Sequence, residues 1–210
     1  MVAVRDAVEF LTGSSQVIRG VRLNGHRGDG PSRGSILFVH DVGSDLDEFA
    51  TLPEALAGLG FDTVAVDLPG HGLSDGDEFD PGQCHAIVAE VVSTLAAQSV
   101  VGFIGAGRTA TVGAALGAPH RVAAQLLLNP VLDPAIVADH PRVHAVRMVA
   151  HGDGVSLVGT ETQKFFSYLI GEKLLLFNAA MTLGPAAFGN DPTLLAHGEL
   201  FFRRYLNLAS

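Results

Sequence analysis

Short apolar runs recur along this chain with helix-like segments between them, and that alternation limits the possible folds more than any other feature. Ser35 to His40, Thr63 to Val66, Val100 to Ile104, Val122 to Leu128, Val143 to Ala150 and Lys173 to Phe177 read as strands. Ser35 to His40 is a continuous apolar run, as expected of a strand buried on both faces. Between these runs, Leu46 to Leu59 places Leu46, Phe49, Leu52, Leu56 and Leu59 along one helical side, and Gly60 follows as a stop. Pro81 to Ala97, Arg108 to Leu116, Thr160 to Ile170 and Thr193 to Leu206 are the other helical segments. Val8 to Leu11 and Gln16 to Leu23 read as two further strands, joined by the turn Thr12-Gly13-Ser14-Ser15. Alternating strands and helices give an α/β fold, a parallel sheet covered on both faces. Sites in such sheets form beyond the carboxyl ends of the strands. The loops after His40, Asp67, Gly105 and Phe177 are therefore the places to look for function.

The totals agree with one such domain, since single domains run to roughly 200–250 residues. The chain has 210 residues, of which 48% are hydrophobic and 17% charged, so it can build a full core. Its formal net charge of −9, without a Lys/Arg cluster, argues against a nucleic-acid partner. The single cysteine, Cys84, leaves no intramolecular disulfide and fits a reducing compartment. The amino terminus lacks a signal-like pattern, and no stretch offers about 20 uninterrupted apolar residues, so a cytoplasmic protein without a membrane partner is expected. The histidines show no metal-ligand spacing; His140 and His144 are four apart, but Pro141 breaks any shared helix. No metal or cofactor is expected.

Three passages carry a resemblance. They are Ile36-Leu37-Phe38-Val39-His40-Asp41-Val42-Gly43, then Val64-Ala65-Val66-Asp67-Leu68-Pro69-Gly70-His71-Gly72-Leu73-Ser74, and then Val149-Ala150-His151-Gly152-Asp153. Together they resemble the α/β-hydrolase family, in its strand and His-Gly oxyanion turn, its Asp-x-x-Gly-x-Gly-x-Ser signature, and the penultimate strand that leads to the acid. The resemblance implies a mostly parallel central sheet of about eight strands with helices on both faces. No cap domain is expected, because the link from Asn129 to Val143 is too short to form one.

The resemblance breaks where the family does its chemistry. Val101 to Ala110 reads as the strand and sharp turn that carry the nucleophile, and the tip is Gly107. The acid position falls on Val155, and the base position falls near Thr182, with no histidine between Lys173 and Leu195. A serine hydroxyl needs an imidazole to take its proton, and the imidazole needs an acid to orient it. Removing the nucleophile alone costs roughly a million-fold in a comparable triad enzyme. Glycine at the tip also relieves the backbone strain that the elbow imposes.

Several residues compete as substitutes. Thr109 and Thr111 are displaced nucleophiles or first-turn residues bonded to the backbone. Ser44, with Asp45, more simply caps the helix that follows. Cys84 and His85 read as a core thiol beside a surface histidine. Asp133 stands where some family members place the acid, and otherwise serves as a turn or helix cap. His71 and His151 belong to structural turns, and His197 to a helix surface. The oxyanion hole falls on the backbone N–H groups of Val42 and Arg108. Asp41, in place of the usual glycine, and Arg108 are two solvated side chains, or a pair that plugs the hole. In a variant of the second case, Arg108 and the helix N-terminus receive an anionic ligand. The loop Ala179 to Gly189, with Met181, Leu183 and Phe188, fills the vacated site, binds an apolar ligand or docks a partner chain.

The leading expectation is a protein without a catalytic triad that acts by binding a small apolar or anionic ligand or a protein partner. Its ligand-binding residues are then His40, Asp41, Val42, Gly107, Arg108 and Met181. The alternatives are a weak or unorthodox hydrolase that uses a displaced group or the His40-Asp41 turn, and a structural subunit that pairs with an active relative.

Overall fold

The computed structural model of the protein describes residues 5–25, 32–76, 80–137, 143–152 and 157–206. The strands are β1 (Arg5–Leu11), β2 (Val17–Leu23), β3 (Ser35–Val39), β4 (Asp62–Val66), β5 (Val101–Ala106), β6 (Val122–Leu128), β7 (Val146–His151) and β8 (Lys173–Phe177). They form an eight-stranded sheet in the order β1-β2-β4-β3-β5-β6-β7-β8. The β1–β2 and β2–β4 pairs are antiparallel, and every pair from β4 to β8 is parallel.

The helices are α1 (Leu52–Gly58), α2 (Pro81–Ala96), α3 (Val112–Ala115), α4 (Pro134–Val137), α5 (Leu157–Tyr168), α6 (Ala186–Asn190) and α7 (Pro192–Leu206). Strand alternation sorts the apolar side chains onto two faces. Leu37, Val39, Phe103 and Leu127 join the cluster that holds Val88, Val92 and Phe165. Ile36, Phe38, Ile104 and Leu126 join the cluster that holds Leu56, Phe188 and Phe202. Each fully buried side chain of this size contributes roughly 1.5–3 kcal/mol. The two longest helices, α2 and α7, start on side-chain caps. The Asp80 carboxylate accepts from the Gly82 N–H at 2.9 Å ahead of Pro81, and Asp191 Oδ1 accepts from Thr193 and Leu194 at the start of α7.

Two expected helices are broken. The segment from Leu46 divides into a 3₁₀ turn, Leu46–Phe49, and α1, because Ala50 enters the left-handed region at φ 47°. The segment after the elbow divides into a 3₁₀ turn, Thr109–Thr111, and the single-turn α3. There the hydroxyls of Thr109 and Thr111 donate to carbonyls outside the helix, those of His40 and Val131. Strand β7 begins at Val146 rather than Val143. Among the described residues, no helix is long and apolar enough to cross a membrane, and no group of three His, Cys, Asp or Glu could hold a metal ion.

Candidate functional site

The carboxyl end of the sheet is organised by buried polar residues of the family-like turns. Asp67 accepts from the Leu46 N–H through one carboxylate oxygen and from the Leu73 N–H through the other, both at 2.9 Å. A Cβ at Gly72 would stand inside that carboxylate, which is why the turn needs glycine there, at φ 48°. His40 is fully buried and has both ring nitrogens engaged. Its Nδ1 lies 2.7 Å from the Asp41 carbonyl, and its Nε2 accepts from the Leu68 N–H at 3.0 Å. Burial pulls its pKa below the ordinary value. His71 Nε2 accepts from the Gly43 N–H at 2.9 Å. These two imidazoles therefore fasten the loop after β3 to the loop after β4. His40 offers no face to a ligand, contrary to the expectation from sequence.

Beyond β5 the chain turns sharply at Gly107, at φ 51°. Its N–H donates to the Leu128 carbonyl at 3.0 Å, and its carbonyl accepts from the Val131 N–H at 2.9 Å, so the tip is held from both sides. Thr109 is fully buried and its hydroxyl donates to the His40 carbonyl at 2.6 Å, so it is not a presented nucleophile. Asp45, not Ser44, supplies the cap of the turn that follows, accepting from the Asp47 N–H at 3.0 Å.

The centre of the site is the Asp41 carboxylate. Its Oδ1 accepts from the backbone N–H of Val42 at 2.7 Å and from that of Arg108, also at 2.7 Å. These are the two amides expected to form the oxyanion hole, and the spacing is that of donors on an oxyanion. The carboxylate also fills the space above the elbow, since a Cβ on Gly107 would fall within it. Asp41 bonds the Arg108 amide and not the guanidinium, unlike the side-chain pair weighed from sequence. The guanidinium turns to Asp133, with Nε at 2.8 Å and Nη2 at 2.6 Å from the same oxygen. The other Asp133 oxygen caps α4 through the Ala135 N–H at 2.9 Å. Glu48 completes the turn by accepting the Asp41 N–H at 2.6 Å, and burial pushes its pKa up.

The far side of the site is tied by Asn129, in the left-handed region at φ 44°. Its amide donates to the Met181 carbonyl at 2.8 Å, and its oxygen accepts from the Gly152 N–H at 3.3 Å. Met181 is buried in the core with Phe188, so it does not line an open crevice as expected. Thr182 is exposed and donates to the Ala179 carbonyl at 2.7 Å, while Leu183 projects into solvent. Val155, at the acid position, lies outside the described residues, as does His140. His151 is buried at the end of β7 with Nδ1 3.2 Å from the Thr162 hydroxyl and Nε2 without a hydrogen-bond partner. His85 is buried rather than on the surface, beside the buried thiol of Cys84, whose pKa burial pushes up to about 12. Glu48 and Asn129 were missed from sequence; neither lies in a motif, and both act through backbone groups of distant turns.

The solved structures on which the chain superposes include named hydrolases and esterases. A dienelactone hydrolase from Anabaena variabilis is 18% identical, superposes with a TM-score of 0.76, and pairs 98% of this chain with 100% of its own. An esterase from Pyrococcus furiosus is 16% identical, with a TM-score of 0.72 over 97% of this chain and 92% of its own. DcsB, solved in complex with its substrate analogue, is 15% identical, with a TM-score of 0.76 over 97% and 99%. At such identities the likeness establishes the α/β-hydrolase fold. No curated protein sequence matches the chain significantly. The family described as serine aminopeptidase, S33, matches residues 30–145, which hold the oxyanion turn, the Asp67 signature and the elbow. By that match, over more than half of its length, the chain belongs to the serine aminopeptidase S33 family of α/β hydrolases.

Proposed function

We propose that this protein does not carry out serine-hydrolase chemistry and acts by binding. One observation carries the reading. The Asp41 carboxylate sits on both oxyanion amides and in the space where a nucleophile on residue 107 would stand. A substrate carbonyl can reach those amides only after Asp41 leaves, and it would then meet a glycine. The obvious replacements are poorly placed, since Thr109 is buried and bonded to carbonyls and His40 has no free nitrogen. A ligand in the crevice must compete with Asp41 for the same amides, which favours a molecule that brings its own carboxylate.

The test is intact-mass labelling with a fluorophosphonate probe, together with turnover of p-nitrophenyl acetate. The expected result is no adduct and no rate above buffer, with the protein folded by circular dichroism. A stoichiometric adduct at any hydroxyl, or saturable turnover abolished by Asp41→Ala, would overturn the proposal.

A second reading, association with another chain, draws on the β8 edge. There Leu174 and Phe177 are more than half exposed, and Leu183 in the following loop is 82% exposed. Light scattering at micromolar concentration decides it: a monomer of the mass of one chain removes self-association.

A further inference from the structure

Behind the closed crevice, at the opposite end of the sheet, the chain leaves a hollow of about 500 Å3. It opens at the amino ends of β5 to β8, over Val100, Ala123 and Val146, which are partly buried against one core cluster. That volume lies within the range of small-molecule sites, and so does the character of its lining, an apolar floor with a few polar groups at the rim. The rim carries Arg121, His144 and Glu172. Glu172 is already partnered, accepting the Tyr205 hydroxyl at 2.6 Å. Among the described lining residues, Arg121 is the permanent cation.

Three departures from regular backbone meet at this hollow. Arg121 holds φ 58°, a left-handed conformation that glycine adopts without strain and arginine does not. It follows a 3₁₀ turn closed by the Val122 N–H on the Gly117 carbonyl at 3.0 Å, a place where helix ends favour glycine. The β5–β6 ladder shifts register between Val101, paired with Val122, and Gly102, paired with Ala124, so Ala123 is the extra residue of a bulge. Gly171 stands at φ 99°, and a Cβ there would lie 2.6 Å from the Ala145 carbonyl oxygen. Strained positions and bulges gather at functional sites because the surrounding structure must hold them in place. The side chain kept at the strained position is a guanidinium. One of its nitrogens meets the Ala96 carbonyl, and its remaining donors meet no acceptor among the described residues.

We infer that this hollow binds an amphipathic monocarboxylate, with the apolar body over Val100, Ala123 and Val146 and the carboxylate on Arg121. The site lies outside the crevice and does not depend on whether the crevice is catalytically silent.

The test uses decanoate, below its micellar concentration, titrated into the 15N-labelled full chain. Saturable shifts are expected at the amides of Val122, Ala123, Val146 and Gly171. Arg121→Gly keeps the fold, because glycine suits φ 58°, and it removes the charge-assisted bond, so affinity falls by about tenfold or more. Decan-1-ol is expected to bind more weakly than decanoate, and decylammonium more weakly still. The inference is overturned if decanoate produces no saturable shifts, or if Arg121→Gly binds it as tightly as the parent chain. It is also overturned if decylammonium binds at least as well as decanoate. Shifts confined to Val42 and Arg108 overturn it too and place the carboxylate in the crevice instead, so the two sites are told apart in one spectrum.

Discussion

The two ends of this sheet have been finished in opposite ways. At the carboxyl end, where an α/β hydrolase opens its oxyanion hole, the protein's own Asp41 carboxylate occupies both amides. At the amino end, a hollow of about 500 Å3 stays open beside a strained arginine. A parallel sheet directs attention to its carboxyl ends because the helix N-termini and the loops converge there. Here the Val42 and Arg108 amides at that end are satisfied internally, and an open volume lies at the other end. Fold-level analogy alone points to the carboxyl end and says nothing of the hollow at the other.

The comparison can be broken from either side. The largest effect is expected at Arg147, a buried side chain of β7. Its guanidinium donates to Gln125, Ile170, Gly113 and Val143, with its pKa lowered to about 10 by burial. Arg147→Met strands several buried carbonyls and should cost about 3 kcal/mol or more, read by urea denaturation. It tests whether the amino end is a braced wall or loose packing.

Next is Gly107→Ser, which sets a Cβ into the Asp41 carboxylate and a side chain at φ 51°. A loss of about 2 kcal/mol is expected. Asp41→Gly in the same chain should recover part of it, with a coupling energy above 0.5 kcal/mol by the cycle's usual scale. Additivity would mean that Asp41 does not occupy the nucleophile's space in solution.

The pH dependence comes third. Burial lowers the pKa of both His40 and His151 below 6.5, so the unfolded chain binds more protons than the folded one as pH falls through that value. Their contribution to stability is whole above pH 6.5 and is lost as pH falls below it, at up to about 1.4 kcal/mol per pH unit for each histidine held neutral. Thermal midpoints that stay flat from pH 7 to pH 5 would contradict this. The smallest effect is that of Arg121→Gly on stability alone. Relief of the left-handed strain and loss of the Ala96 contact oppose each other, so a change within about 1 kcal/mol is expected, read by the thermal midpoint.

How far the sequence reached differs by element. Buried parallel strands such as β3 and β6 were readable because near-continuous apolar runs admit few other solutions. The breaks at Ala50 and after Thr109 were not, because a left-handed residue and a hydroxyl bonded to a distant carbonyl leave no periodic trace. The glycine at the elbow tip and the aspartate in the oxyanion turn were both visible, but their relation was not. From sequence, Asp41 and Arg108 read as two solvated side chains or as a pair between them. The structure uses a backbone amide, a partner that every residue except proline carries and no sequence pattern can mark.

The chain by itself determined the layered α/β architecture, the family-like turns, and a glycine at position 107. Apolar periodicity and glycine placement are local facts. Tertiary structure decided what stands against that glycine. Val39 pairs with Gly105 where β3 runs parallel to β5, so the residues two beyond each, Asp41 and Gly107, arrive side by side. One lacks a side chain, and the other has a carboxylate of the right length to reach both amides. That match depends on strand register, a property of the folded sheet that neither segment carries alone.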